Sequence, residues 1–195
     1  MHLSYPRSAL SRHFLPGPST FPPRASRRFV RSVWQDFQRN AGHDANSFGR
    51  MKVVDAVPGR VKAEMKVERH QVNRLQGLHG GLIASLVDTM GSLALASRGL
   101  YMTGVSTDIN ITYVRGAALG EEIRIQSELV NLGRTLAYTR VELESAKTGK
   151  LLAYGSHTKY IADALKSPQN VKLSEDGETV LEGVMPEQDT PGEKQ

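Results

Sequence analysis

From Leu82 to Ala96 the chain is almost continuously apolar, and one acid, Asp88, breaks the run. Gly80-Gly81 before it and Gly99 after it are start and stop signals for a helix over about 80–97. A helix apolar on nearly every side has to be surrounded by protein. It is shorter than the ~20 residues needed to cross a membrane. The rest of the chain supplies the surroundings. Segments 103–114, 122–131, 135–145 and 150–161 alternate apolar and polar residues as strands do, with turn signals at Asn131-Leu132-Gly133-Arg134 and Lys147-Thr148-Gly149-Lys150. Upstream, 53–57 and 61–67 read as two strands joined at Pro58-Gly59, and 31–41 as a short helix carrying Val33, Trp34 and Phe37. One buried helix followed by hairpin-linked strands predicts an α+β fold, an antiparallel sheet wrapped around one long central helix.

The net charge of +5 conceals a division of the chain. Residues 1–40 hold seven arginines and one acid, Asp36; residues 166–195 hold three lysines and seven acids. Residues 1–35 have no acid, six serines and five prolines. That composition reads as a mitochondrial transit segment, with a basic extension of no address value as the alternative. Residues 166–195, acidic and poor in large apolar residues, read as a disordered tail. The folded domain is expected over 36–165, in the mitochondrial matrix or, failing an address, the cytoplasm.

Several chemistries are excluded or unsupported. Cysteine is absent, so there is no disulfide, thiolate metal site or cysteine nucleophile. The six histidines show no metal-ligand spacing, and no GxSxG elbow, GxGxxG or Walker pattern occurs. The N-terminal arginines lack the interleaved aromatics of a nucleic-acid stacking platform. No metal, redox cofactor or nucleic-acid partner is therefore expected.

Within the long helix, Gly81, Ser85, Asp88 and Ser92 fall on one small or polar stripe. Such a stripe can be a helix-packing seam. Here it begins at Leu78-His79-Gly80-Gly81, where backbone N–H groups and the helix dipole favour negative charge. From Gly80 to Asp88 is about 12 Å along a helix at ~1.5 Å per residue, too far for both to act on one carbon. Two such helices antiparallel across a dimer axis could share the work, each giving Gly80 to one site and Asp88 to the other.

Asn73, His79-Gly80-Gly81, Asp88 and the run Gly104-Val105-Ser106-Thr107-Asp108-Ile109-Asn110-Ile111-Thr112-Tyr113 together resemble the hot-dog-fold acyl-CoA thioesterases. The branch that is similar is the eukaryotic acyl-coenzyme A thioesterase 13 group, with the bacterial phenylacetate-pathway thioesterases. The resemblance runs from about Val53 to Ile161 and includes Gly155-Ser156-His157-Thr158-Lys159. It implies hydrolysis of acyl-CoA, as in fatty acid metabolism, by a homodimer or dimer of dimers (a homotetramer) without added cofactor. Asn73 and the Gly80 N–H would polarise the thioester carbonyl. Asp88 of the partner chain would activate water or attack directly, with Ser106 steadying it and His79 and His157 close by. For coenzyme A the resemblance implies Tyr113, Arg115 and Gly116, the turn Gly133-Arg134-Thr135, and Lys159 with Tyr160. Arg115 and Arg134 could equally be solvated turn charges, and Gly116 stands where relatives often carry proline. Two other readings remain: a non-catalytic module binding acyl-CoA or a lipid-transfer partner, and an acyl-CoA hydratase or dehydratase, whose His and acid arrangement is not found here.

Overall fold

The computed structural model describes residues 24–186. Two N-terminal helices, α1 (Ala25–Gln38) and α2 (His43–Phe48), precede a hairpin of β1 (Lys52–Val57) and β2 (Arg60–Lys66). The long helix α3 (Gly80–Ala96) follows, then β3 (Val105–Tyr113), β4 (Glu122–Leu132), β5 (Leu136–Ser145) and β6 (Leu151–Tyr160). The strands form one antiparallel sheet in the order β1-β2-β4-β5-β6-β3. Helix α3 lies against its inner face and touches β2 through β6. Leu86, Val87, Met90 and Leu93 of α3 are completely buried in one cluster with Ile123, Ile125, Val141, Leu143 and Ala153 from the sheet, and Leu95 is buried in a second with Ala137 and Ile161. The fold is the expected α+β sheet around a central helix, and the ends of α3 and of β1 to β6 lie within two residues of those read from the sequence.

The two sheet edges are treated differently. Along β1, α1 covers the edge and donates to it: Ser26 Oγ to the Ala56 carbonyl, the Arg31 guanidinium to Val53, and Trp34 Nε1 to Met51. Along β3 no element among the described residues covers the edge, and Val105 and Tyr113 are 68% and 55% exposed. An open edge with apolar side chains is a template for pairing with another strand.

Both ends of the domain differ from expectation. The boundary expected between residues 35 and 36 falls inside α1, and the helix begins at Ala25 rather than residue 31. Phe29, Val30, Val33 and Trp34 are buried in the main core, so this stretch is part of the folded domain. Residues 1–23, the remainder of the expected transit segment, lie outside the described residues. The expected disordered tail is structured as far as 186. A small hairpin of β7 (Lys172–Leu173) and β8 (Val180–Glu182) packs Val171, Leu173, Val180 and Met185 on the core. Its loop caps α1: the Ala25 and Ser26 N–H groups donate to the Glu178 and Gly177 carbonyls. These are orphan donors of a first helical turn, satisfied here from the far end of the chain. The fit requires Gly99, whose φ is +91° and where a Cβ would stand 2.0 Å from the Val171 carbonyl oxygen.

No helix among the described residues is long and apolar enough to cross a membrane.

Candidate active site

The start of α3 has one free donor. The Gly81 N–H donates to His79 Nδ1 at 2.9 Å, and the Leu82 and Ile83 N–H groups donate to the His79 carbonyl. The Gly80 N–H has no acceptor among the described residues. His79 is thus the N-cap, and its role here is to aim the first turn. Tyr113 lies alongside, its hydroxyl donating to the Gly80 carbonyl at 3.1 Å. A Cβ on Gly80 would meet the Tyr113 ring at 3.4 Å, so glycine lets the ring approach.

Asn73 occupies a tight turn before the helix, closed by its N–H on the Gly77 carbonyl. Its Oδ1 accepts from the Leu75 and Gly77 N–H groups at 2.8 and 3.2 Å. That fixes the amide so its NH2 end is the one left to donate. Bridges from Val72 to Leu78 and from Gly77 to Ala118 hold the turn beside the α3 N-terminus.

Asp88, two turns further along α3, is anchored through a single oxygen. Its Oδ1 accepts from Ser106 Oγ at 3.0 Å and lies 3.4 Å from His157 Nε2 and 3.6 Å from Lys159 Nζ. Oδ2 accepts no hydrogen bond among the described residues, and the side chain is 45% exposed. Ser106 and His157 come from neighbouring strands, with Ser106 on β3 opposite Lys159 on β6. His157 is completely buried, and its Nε2 is 3.0 Å from Ser106 Oγ. Burial, reinforced by the Lys159 ammonium and partly offset by Asp88, lowers the His157 pKa to about 4. The ring is neutral near pH 7. Because Ser106 donates to Asp88, its oxygen accepts from His157 Nε2–H, which leaves Nδ1 unprotonated. That Nδ1 is buried with no partner, a lesser penalty for an acceptor than for a stranded N–H. Gly91 makes room for the ring: a Cβ there would stand 2.8 Å from His157 Nδ1 and 2.6 Å from Thr139 Oγ1.

Lys159, expected among the coenzyme A contacts, is elsewhere. It is 3% exposed, and its ammonium donates to Ser92 Oγ at 2.6 Å. Strand alternation turns it inward beside His157, so it is not a surface cation for phosphates. The sequence signal was the alternation itself, which puts residues 157 and 159 on one face.

Asp88 opens into a cleft of about 620 Å³ whose lining includes Ser85, Ser92, Val105, Ser106 and Lys159. The polar stripe on α3 thus faces a cavity. The far wall comes from the N-terminal helices, which the sequence reading did not connect to the site. Phe37 is on α1, and His43 and Asp44 on α2 bond to α3 on either side of Asp88: His43 Nε2 to Ser85 Oγ at 2.8 Å, and Thr89 Oγ1 to Asp44 at 2.7 Å. Among the described residues no three His, Asp or Glu side chains gather as a metal site needs.

The other residues expected to hold coenzyme A divide between the two ends of β3. Tyr113, Arg115 and Gly116 lie at the Gly80 end, where Arg115 is 3.7 Å from Glu121. A Cβ on Gly116 would meet nothing within 4 Å. At the other end Tyr160 pairs with Val105 and Leu136, just beyond the turn Gly133-Arg134-Thr135. Nine residues of strand separate the two groups by about 26 Å. One chain does not bring them together.

Comparison with known proteins bears on this geometry. The sequence pattern of the thioesterase superfamily matches residues 75–152. Human acyl-coenzyme A thioesterase 13 is 46% identical over 115 residues, 59% of this chain and 82% of that protein. The crystal structure of zebra fish thioesterase superfamily member 2 superposes with a TM-score of 0.63 at 40% identity, over 67% of this chain and 94% of that one. A hypothetical thioesterase protein of Streptococcus pneumoniae, crystallised with coenzyme A, gives 0.58 at 25% identity, over 65% and 94%.

Proposed function

Since the chain belongs to the thioesterase superfamily, on the hot-dog branch that includes acyl-coenzyme A thioesterase 13, we propose that it hydrolyses acyl-CoA at a site shared by two chains. The observation that carries the reading is the pairing of opposite needs. Two unspent donors, Gly80 N–H and Asn73 Nδ2, meet the demand of a developing oxyanion. A carboxylate with one anchored and one free oxygen meets the demand for a base.

The two halves belong to different chains in this proposal. Gly80 neighbours Tyr113 at one end of β3, and Asp88 bonds Ser106 at the other. Antiparallel pairing of the open β3 edge with its copy, about a two-fold axis near the strand centre, sets each Asp88–Ser106 end beside the other chain's Gly80–Tyr113 end. It also brings Arg115 of one chain toward Arg134 of the other, reuniting the two candidate cation groups for coenzyme A phosphates. The cleft itself holds Asp36, Asp44 and Asp88, an environment for the acyl side rather than for phosphates.

In this reaction water attacks the thioester carbon while Asp88 Oδ2 takes its proton. Gly80 and Asn73 hold the tetrahedral oxyanion, where loss of one donor typically costs ~3–4 kcal/mol. The C–S bond then breaks, the thiolate takes the proton back from Asp88, and free acid and CoA leave. Direct attack by Asp88, followed by hydrolysis of the anhydride, uses the same groups. The reaction needs water and no cofactor.

Thiol release from acyl-CoAs of graded length tests the reading. Asp88→Asn is expected to lower kcat by at least ~10²-fold without changing the oligomer, and a fully active variant contradicts it. We also propose that residues 1–23 carry a mitochondrial address. Fused to a reporter, they should bring it into the matrix, and a reporter left in the cytosol refutes the address.

A further inference from the structure

We propose that Lys159 is a positioning residue for the reaction: its buried ammonium, bonded to Ser92 and beside Asp88, offsets the acids of the cleft and holds the Asp88 carboxylate with Oδ2 toward the substrate. This rests on the thioesterase reading and adds to it a residue that acts through Asp88.

The argument begins with what a buried ammonium needs. Lys159 is almost fully enclosed, and such a cation is retained only when partners repay its lost hydration. Its partners are Ser92 Oγ at 2.6 Å and Asp88 Oδ1 at 3.6 Å. An ammonium only donates, so Ser92 Oγ accepts from it and turns its own proton to the Asp88 backbone carbonyl at 3.0 Å. Ser92 therefore ties the ammonium to the same residue from behind. A lysine used only for packing has no need of this arrangement.

The surrounding charge makes the cation matter. Asp88 shares the cleft with Asp36 from α1 and His43 and Asp44 from α2, and is approached by Ser106 from β3 and by His157 and Lys159 from β6, while Asp108 of β3 acts on His157. Asp36, Asp44 and Asp88 are the three carboxylates of the cleft lining, His157 is a neutral ring at pH 7, and among the described residues Lys159 is the one lysine or arginine that lines it. Without it Asp88 would face the carboxylates of Asp36 and Asp44 uncompensated, and like charges favour protonation. A protonated Asp88 is no base. The direction of the contacts matters as well. Lys159, His157 and Ser106 all approach Oδ1, at 3.6, 3.4 and 3.0 Å, so removing the one cation among them loosens the carboxylate about its own axis.

The test compares wild type, Lys159→Met and Ser92→Ala in thiol release across pH, using the acyl-CoA that wild type hydrolyses fastest. The expected result for Lys159→Met is a kcat lower by about 10- to 100-fold. Its acid limb should move up by about 1–3 pH units, with KM within about twofold of wild type. Ser92→Ala should move the limb the same way by less. A folded Lys159→Met protein with the wild-type acid limb overturns the proposal. If that variant does not fold, Ser92→Ala decides by the same criterion, an unmoved limb overturning it. If wild type releases no thiol, the thioesterase reading fails separately, and nitrogen NMR of His157 then decides the placement of the ammonium. Its titration midpoint should rise in Lys159→Met, and an unchanged midpoint overturns the proposal.

Discussion

Residue by residue, the site is built from groups whose hydrogen-bonding capacity is partly spent so that the remainder is aimed. Asn73 spends its oxygen on Leu75 and Gly77 and keeps its NH2. Asp88 spends Oδ1 and keeps Oδ2. His157 spends Nε2 on Ser106 and is held neutral by burial, which gives the protein a pH signature. Its pKa falls from 6.5 to about 4 on folding, so between those values the unfolded chain binds more protons than the folded one. Stability from this group is complete above about pH 6.5 and is lost as pH falls through 4, amounting to about 3 kcal/mol at 1.36 kcal/mol per pKa unit. Denaturant unfolding of wild type and His157→Gln from pH 7.5 to 4 measures it. The wild-type loss should be steeper, and equal slopes contradict the assignment.

At the scale of elements, α1 and the C-terminal hairpin decide where the domain ends. Deleting residues 1–23 should leave the melting temperature and far-UV circular dichroism unchanged. Deleting 1–35 removes Phe29, Val30, Val33 and Trp34 from the core, each large-to-nothing loss costing about 2–5 kcal/mol. Together these losses reach about 8–20 kcal/mol, as large as the whole 5–15 kcal/mol by which such domains are stable, so the shorter protein should be unfolded or aggregated; a cooperative melt near wild type contradicts the boundary. These ends were the least legible part of the sequence. Phe29, Val30, Val33, Trp34 and Phe37 do have helical spacing, but arginines and prolines just before them share the composition of a leader. The C-terminal segment has few apolar residues because it docks on a surface already formed, and α2 is too short to show a period. The central helix and its strands were legible because their patterns are long and their burial is extreme. Asn73, Gly80, Asp88 and Ser106 were legible as motif members. The inward turn of Lys159, and the joining of His43 and Asp44 to the cleft, depend on contacts between elements distant in sequence.

For the whole molecule the claim is that one chain holds two half-sites, facing opposite ends of an open strand edge, and that hydrolysis needs two chains. Covering of the β1 edge by α1 leaves β3 as the edge of the main sheet where a copy can add. The protein should therefore sediment as a dimer or a dimer of dimers. The most direct measurement mixes two inactive proteins, Asp88→Asn and Asn73→Ala, after reversible dissociation, and follows thiol release from acyl-CoA. In a mixed dimer one site carries both lesions and the other carries neither. Random reassociation makes half of the dimers mixed, so the mixture should recover about a quarter of the wild-type rate. A mixture that forms hybrid dimers yet stays as inactive as its parents contradicts the shared site.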